Sequence, residues 1–518
     1  MTIADPAAAL AEPYGSFSDI LAAWAGRQPE AVALRDERGE LTWGELADRV
    51  ERIAAKLQTS GLERGQAVAI LGLSSIPYAL VFLAAVRAGG VAAPLTTSAS
   101  REQLEGTARD SGAQHLFLDR AKLDELGDDF LPHLERIVLD EEIDRWMAPP
   151  RTRATPFAPE PGEPFNIIYS SGTTGVPKGI VHSHQMRWRQ FASTAASYRE
   201  SRLEVRAIAS TPLYSNTTMV AFLPPLLAGG SVRVMGKFST RAWLEGAQAD
   251  RSTVTMLVPV QYQRLMDEPR LGDFDLSSLA LKYCTSAPFP VPLKREVLRR
   301  MPGALIEIYS MTEGGGVCLL ACHEFPDKLH TVGRPAPGSE LKVLDDEDNE
   351  VPAGTTGNLV GRSQTMMSGY KNQPEKTREG YWTDPATGEV WQRMGDIGRV
   401  DADGFVELVG RAKDMIISGG FNIYPSDLEA ALEKEPGVAE AAVVGVASRR
   451  WGESPVGFVC LADDAPAADE ILASVNARLG KTQRLAALHA VDEMPRSHIG
   501  KLLKTDLRAM AEELGGID

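Results

Sequence analysis

The sequence predicts an α/β protein, and three successive patterns predict it. Up to about residue 340, short apolar runs of strand length alternate with segments of helical period, the code for parallel sheets covered by helices. From Leu341 to Arg411 the runs pair around polar turns, DDEDNE at 345–350 and DADG at 401–404, which predicts a small β-rich subdomain. After Arg411 the mixed alternation returns. The expected architecture is a large N-terminal domain over 1–411, built of two α/β subdomains and the β-rich one at about 341–411, followed by a small α+β C-terminal domain over 412–518.

The elements follow in order. After an Ala/Pro-rich lead, TWGE at Thr42 to Glu45 reads as a capping box, in which Thr42 caps an amide and Glu45 reciprocates. Leu46, Val50, Ile53 and Leu57 recur at helical spacing, and Gly61 suits the stop. Strands are expected at 67–71, 91–95, 115–118 and 137–139. A Pro-rich loop at 148–164 marks the seam between the two α/β subdomains. The second stretch has strands expected at 166–169, 207–210, 231–235, 253–258, 281–284 and 304–308. In the C-terminal part, SDLE at 426–429 is expected to cap a helix through Leu432, and 441–446 to form a strand.

Composition narrows the function. The chain has 518 residues with 54 Lys and Arg against 70 Asp and Glu, a net charge of −16, which lacks the basic footprint of a nucleic-acid binder. The longest apolar run, Tyr78 to Val86, is far below the roughly 18 residues that suggest a membrane span. Asp5 and Glu12 precede the first basic residue, Arg27, so no secretory signal is read and a cytoplasmic location is expected. Four cysteines, at 284, 318, 322 and 460, are too few for a disulfide framework. Cys318 and Cys322 would face one metal ion only on a helix, and the remaining ligands of a tetrahedral site are not in evidence.

The sharpest string is YSSGTTGVPKG, Tyr169 to Gly179, just after an apolar run. Gly172 and Gly175, the hydroxyls of Ser170, Ser171, Thr173 and Thr174, and Lys178 make a donor-rich loop suited to wrapping a polyphosphate. It departs from the common P-loop, since Pro177 precedes Lys178 and Gly179 stands where Ser or Thr would hold magnesium; this argues against a kinase or P-loop NTPase. The string resembles the phosphate-binding signature of the AMP-forming adenylate-forming superfamily, which includes acyl-CoA and aryl-CoA ligases, firefly luciferase and peptide-synthetase adenylation domains. Five further segments appear in that family's order, so the resemblance covers nearly the whole chain.

The resemblance implies roles residue by residue. TSAP at 285–288 resembles the adenine-binding turn, with Ser286, Ala287 and Pro288 along one face of the base. YSMTE at 309–313 places Tyr309 against adenine, with Ser310 standing where glycine is usual and Met311 beside it. It places Thr312 on the α-phosphate and Glu313 on Mg²⁺, a hard cation that suits a carboxylate. Asp396 in GDIG at 395–398 resembles the ribose carboxylate, and Arg411 the ribose and phosphate contact. Lys413 resembles the hinge about which the C-terminal domain turns, which makes that domain mobile. Ser418, Gly419 and Gly420 resemble a narrow passage for coenzyme A. Lys501, in PRSHIGK at 495–501, resembles the catalytic lysine, and His498 in that loop is not expected to act as a base. His182 and His184 are read as structural or cleft-lining.

The implied reaction joins a carboxylic acid to ATP, giving acyl-adenylate and pyrophosphate, then transfers the acyl group to coenzyme A with release of AMP. ATP, Mg²⁺ and coenzyme A are the expected cofactors, and the state a monomer or homodimer. The acyl pocket is expected at Tyr214, Ser215, Asn216, Gln261 and Tyr262, with Ser215 where the family often has His. Gly314, Gly315 and Gly316 are read as an open wall that disfavours acetate and propionate. An aryl or hydroxycinnamate-type acid such as coumarate or ferulate is expected; the alternatives are a medium-chain fatty acid CoA ligase and a stand-alone enzyme that loads a carrier protein. Seventeen residues follow Lys501 with no carrier segment among them, which favours the ligase.

Overall fold

The computed structural model describes residues 3–170, 178–418, 421–448, 451–462, 464–480, 483–497 and 500–514. The chain forms two compact units. The first holds Met1–Leu329, Ala336–Ser339 and Arg362–Gln392, and the second His330–Pro335, Glu340–Gly361 and Arg393–Asp518. The β-rich segment and the C-terminal residues therefore fall mainly in one unit.

Two sheets organise the first unit. One runs Gly369–Tyr370, Lys178–Ser183, Pro164–Ser170, Val91–Pro94, Ala67–Leu71, His115–Leu118, Glu135–Val138, in that spatial order. Its middle pairs are parallel, and the pairs around Lys178–Ser183 are antiparallel. The other runs Gly314–Ala321, Ala304–Met311, Leu281–Cys284, Val254–Leu257, Arg206–Ala209, Ser231–Val234, Val32–Arg35, Glu40–Thr42. It is parallel inside and antiparallel at both of these ends. The expected strands form, but sheet membership differs from the expectation. The run at 166–169 joins the sheet of the preceding stretch, and Val32–Arg35 joins the sheet of the following one. Strand pairing across long loops is set by tertiary packing, which no local window of sequence reports.

Helices cover and join these sheets. Trp43–Thr59 starts on the capping box, with Thr42 and Glu45 reciprocally bonded, and buries Leu46, Val50, Ile53 and Leu57. Gly61, at φ 91°, takes the left-handed position after it. Ile76–Arg87 and Asn216–Leu227 are buried almost all round and share a core cluster with residues of both sheets, which is why they read as continuously apolar. The Pro-rich segment is bound along helix Trp43–Thr59: the Ala148 amide donates to the Arg52 carbonyl and the Ala154 amide to Glu51. It packs against that helix and is not a free linker.

In the second unit, strands Ser339–Leu344, Gly357–Ser363, Val390–Val400 and Val406–Arg411 neighbour one another in sequence order, and most of their residues belong to this unit. Asp345 and Asp401 close the two expected turns by accepting amides two and four residues on. A further sheet runs Phe421–Ile423, Ile416–Ser418, Gly452–Leu461, Val438–Ser448, with Ala487–Ala490 parallel to Gly452–Leu461. Alternation along Val438–Ser448 sends Ala441 and Val443 to a core with helices Pro425–Leu432 and Ala468–Arg478. Ala442, Val444 and Val446 go to a core with helix Lys504–Glu513. Ser426 does not cap its helix as expected. Pro425 takes the first helical position after Tyr424, so the Ser426 hydroxyl is already inside and donates to the Val409 carbonyl.

Candidate active site

In the first unit, strands Pro164–Ser170 and Lys178–Ser183 pair antiparallel, with Tyr169 opposite Gly179 and Ser170 opposite Lys178, and so deliver the two ends of the phosphate string side by side. Ser171, Gly172, Thr173 and Thr174 lie outside the described residues, as does the Ser170 side chain. Gly179 is bare for a reason: a Cβ there would come within 2.9 Å of the Tyr169 ring. That ring's hydroxyl donates to Asp110 at 2.9 Å.

Strand Gly369–Tyr370 pairs with Lys178–Ser183 on the other side. Its Tyr370 lies between two expected site residues. The Tyr370 hydroxyl donates to Glu313 Oε1 at 2.8 Å, and Lys178 Nζ stands 5.1 Å from the centre of the Tyr370 ring. Tyr370 sits in GYKNQPEKT, a segment absent from the sequence-based site; a Gly-Tyr pair before a polar turn gives no chemical signal by itself.

Thr312 and Glu313 form the turn between strands Ala304–Met311 and Gly314–Ala321, and that turn is anchored from below. His182 Nε2 lies 2.8 Å from the Thr312 carbonyl, and its Nδ1 lies 2.9 Å from Arg187 Nη2. A guanidinium only donates, so Nδ1 accepts and Nε2 carries the proton given to Thr312. Arg187 Nε also donates to Asn166 Oδ1 at 2.9 Å. Both His182 and Arg187 are fully buried. Burial, then the Arg187 charge, holds the His182 imidazole well below its ordinary value, and burial pushes Arg187 down to about 9. The reading of His182 as structural thus acquires a specific object, the turn that presents Thr312.

Gly314 corrects an expectation. At φ 91° its absent Cβ would lie 2.3 Å from the Thr365 carbonyl oxygen and 2.6 Å from Met366 Cα, so it serves close backbone approach and not an open pocket wall. The Met367 amide completes that junction by donating to the Glu313 carbonyl at 2.8 Å. Gly315, at φ 75°, and Gly316 are buried in the same strand. The Cys318 and Cys322 pair is not helical either: Cys318 lies in this strand and Cys322 just past it, both buried. Among the described residues no group of three or more His, Cys, Asp or Glu is placed to hold a metal.

The expected adenine turn follows strand Leu281–Cys284. Thr285 donates to the Ile308 carbonyl at 2.7 Å, tying the turn to the next strand. Ser286 adopts φ 80°, rare for a residue with a Cβ, and its hydroxyl lies 2.5 Å from that of Thr217. Ala287 is half-buried and Pro288 exposed. Tyr309 is half-buried opposite Cys318, and exposed Ser310 occupies the register break before Met311.

The expected acyl residues divide. Tyr214 is buried, and Ser215 caps helix Asn216–Leu227 by accepting the Thr217 amide. Asn216 keeps a buried Oδ1 without a partner. Gln261 and Tyr262 do not offer polar groups to a substrate. Gln261 accepts the Val258 amide and donates to the Ser210 carbonyl. Fully buried Tyr262 donates to the Tyr283 carbonyl at 2.9 Å and stacks on Phe289 at 5.5 Å. Helical spacing alone did not distinguish an inward face from a pocket face.

In the second unit, Asp396 and Arg411 stand directly opposite on paired strands, with Arg411 Nε donating to Asp396 Oδ1 at 2.9 Å. Lys413 follows in a turn at Ala412–Asp414 that the Met415 amide closes on the Arg411 carbonyl. Lys501 is exposed, and its amide donates to the Ser497 hydroxyl at 3.1 Å. Crowding by protein atoms, followed by the repulsion of Arg411 and Lys413, lowers its pKa from the ordinary lysine value, while Asp396 and Asp414 act the other way. Ser418 is buried on strand Ile416–Ser418, opposite Gly452; Gly419, Gly420 and His498 lie outside the described residues. Among the described residues no helix is long and apolar enough to cross a membrane.

Comparison with known proteins bears on these residues. The family described as AMP-binding enzyme matches residues 21–371, and its C-terminal domain family matches 427–501. The indoleacetate–CoA ligase of Aromatoleum aromaticum is 32% identical over 508 residues, covering 94% of this chain and 96% of that protein. A feruloyl-CoA synthase of Amycolatopsis is 32% identical over 491 residues, covering 93% and 96%. Among solved structures, ATP-bound MatB from Rhodopseudomonas palustris is similar with a TM-score of 0.85 at 28% identity, covering 96% of this chain and 99% of that one.

Proposed function

The chain belongs to the AMP-binding enzyme family, whose matched relatives include acid–CoA ligases, and from that premise we propose that it activates an aryl or hydroxycinnamate-type acid with ATP and transfers it to coenzyme A. The observation that carries the adenylation step is the Asp396–Arg411 pair of the second unit, directly opposed on paired strands and joined at 2.9 Å, to which the resemblance adds Lys501. Lysine, arginine and carboxylate together match a nucleotide's phosphate and ribose in charge and hydrogen bonding.

A carboxylate attacks the α-phosphorus of ATP and pyrophosphate leaves, so two anions must meet and cation placement is the principal task. Lys501 neutralises charge between the acid's carboxylate and the α-phosphate; Lys178 serves the outer phosphates. Asp396 accepts from the ribose hydroxyls, and Thr312, fixed by His182, presents its hydroxyl to the α-phosphate. Glu313 suits Mg²⁺, since one carboxylate with phosphate and water ligands matches that ion's habits, and a bound Mg²⁺ would withdraw charge from the phosphates. The second step needs the coenzyme A sulfur at the acyl carbon: the C–S bond forms, AMP leaves with the electron pair, and the thiol proton passes to solvent. Rotation about Lys413 withdraws Lys501 and presents Ser418 to Gly420 for that step.

The aromatic assignment rests on the two relatives named above and on the segment of buried Tyr214 with half-buried Ser215 and Asn216. A pyrophosphate-release screen over short, medium-chain, aryl and phenylpropenoid acids tests it. The highest kcat/KM is expected with an aryl or phenylpropenoid acid, and turnover of acetate alone would reject the assignment. Thioester formation with free coenzyme A is expected in the same assay; adenylate without thioester would indicate a carrier-protein acceptor.

A further inference from the structure

We propose that Tyr370 is a positioning residue that holds the cation and the carboxylate of the phosphate site apart, so that each stays available to nucleotide and metal. The proposal rests on the ligase reading, in which Lys178 serves phosphate and Glu313 serves Mg²⁺.

Three contacts define the arrangement. The Tyr370 hydroxyl occupies Glu313 Oε1 at 2.8 Å. Its ring lies 5.1 Å from the Lys178 ammonium. Its own backbone is fixed from both sides: Tyr370 is paired with Ile180, the flanking Ser368 and Lys371 amides donate to the Val181 and Gly179 carbonyls, and the Tyr370 amide donates to Thr377 Oγ1 at 2.9 Å. Since Met367 also binds the Glu313 carbonyl, one short segment grips both the strand of Lys178 and the turn of Glu313.

An ammonium and a carboxylate reaching the same half-buried ring would otherwise pair directly, and that pair would have to be broken for each nucleotide bound. Among the described residues no ion pair joins Lys178 to Glu313. The aromatic face gives the ammonium a modest attraction that an incoming phosphate outcompetes. The phenol takes one carboxylate oxygen and orients the other for a hard cation. Tyr370 therefore acts as a spacer with a weak hold on each charge. The positions are far apart in sequence and local pattern does not single out this tyrosine; the three-stranded meeting does.

The test is calorimetric titration of ATP into the full-length protein over a range of Mg²⁺ concentrations. Tyr370→Phe keeps the ring and loses the hydroxyl. Its Mg²⁺-free ATP affinity should stay within about twofold of the parent, while the Mg²⁺ concentration that supports half-maximal ATP binding should rise about tenfold. Tyr370→Leu should also weaken Mg²⁺-free ATP binding about tenfold, as Lys178 pairs with Glu313, and adding Glu313→Gln should restore it. A purely structural role would shift melting temperature without separating these two readouts. An unchanged Mg²⁺ dependence in Tyr370→Phe overturns the proposal even if Tyr370→Leu does not fold. A parent protein whose ATP binding ignores Mg²⁺ overturns the metal role of Glu313, and the proposal with it.

Discussion

Buried histidines give this protein an acid-sensitive core. His184 is 2% exposed, and burial pushes its imidazole down to about 4 from 6.5, with Glu163 opposing weakly. His182 is lowered in the same direction by burial and the Arg187 charge. The unfolded chain takes up the His184 proton near 6.5 and the folded chain does not until near 4, so this stabilisation is complete above 6.5 and is lost as pH falls between the two. About 3 kcal/mol attaches to His184 alone. Urea unfolding from pH 7 to 4.5 should show stability falling with pH, and His184→Gln should reduce that slope by up to one proton's worth, about 1.4 kcal/mol per pH unit. An unaltered slope would remove His184 as its source. The sequence marked both histidines by their place beside the phosphate string, but only burial and the Arg187 contact assign His182 its tautomer and its task.

The turn between strands Ala304–Met311 and Gly314–Ala321 shows how an element can be specified by what it must not contain. Gly314 permits the backbone of Thr365 and Met366 to close on Glu313. Gly314→Ala forces a collision with main-chain atoms at a positive φ, and is expected to cost about 2–3 kcal/mol in denaturant unfolding and to weaken Mg²⁺-dependent ATP binding. Full stability with normal binding would show that the two segments part without penalty. A run of three glycines was visible in the sequence, yet its meaning was not, because an open wall and a tight backbone crossing favour the same residue. The opposite case is helix Trp43–Thr59, whose start, buried face and stop were all legible, since a capping box and a 3.6-residue period involve only near neighbours.

For the whole molecule, the net charge of −16 contrasts with the cations placed at chosen points: Arg411 on Asp396, Lys413 in the turn that follows it, and Lys178 at the Tyr370 ring. The proposed division of labour predicts that Lys501→Ala slows acyl-adenylate formation about 100-fold or more while thioester formation from supplied acyl-adenylate is largely kept. Lys413→Pro, by stiffening the turn at Ala412–Asp414, should damage the thioester step more. Single-turnover assays of each half-reaction decide the matter, and equal loss of both in either variant would refute the division. The sequence by itself determined the succession of elements, most strand positions, the capping of the first long helix and the order of the nucleotide motifs, because each depends on residues within a few positions of one another. Only the tertiary structure decided which strands share a sheet, why Gly314 is glycine, that Gln261 and Tyr262 face inward, and that Tyr370 meets Glu313 across 57 residues of chain. Those facts depend on closing long loops and fitting surfaces together, and no window of sequence contains both partners.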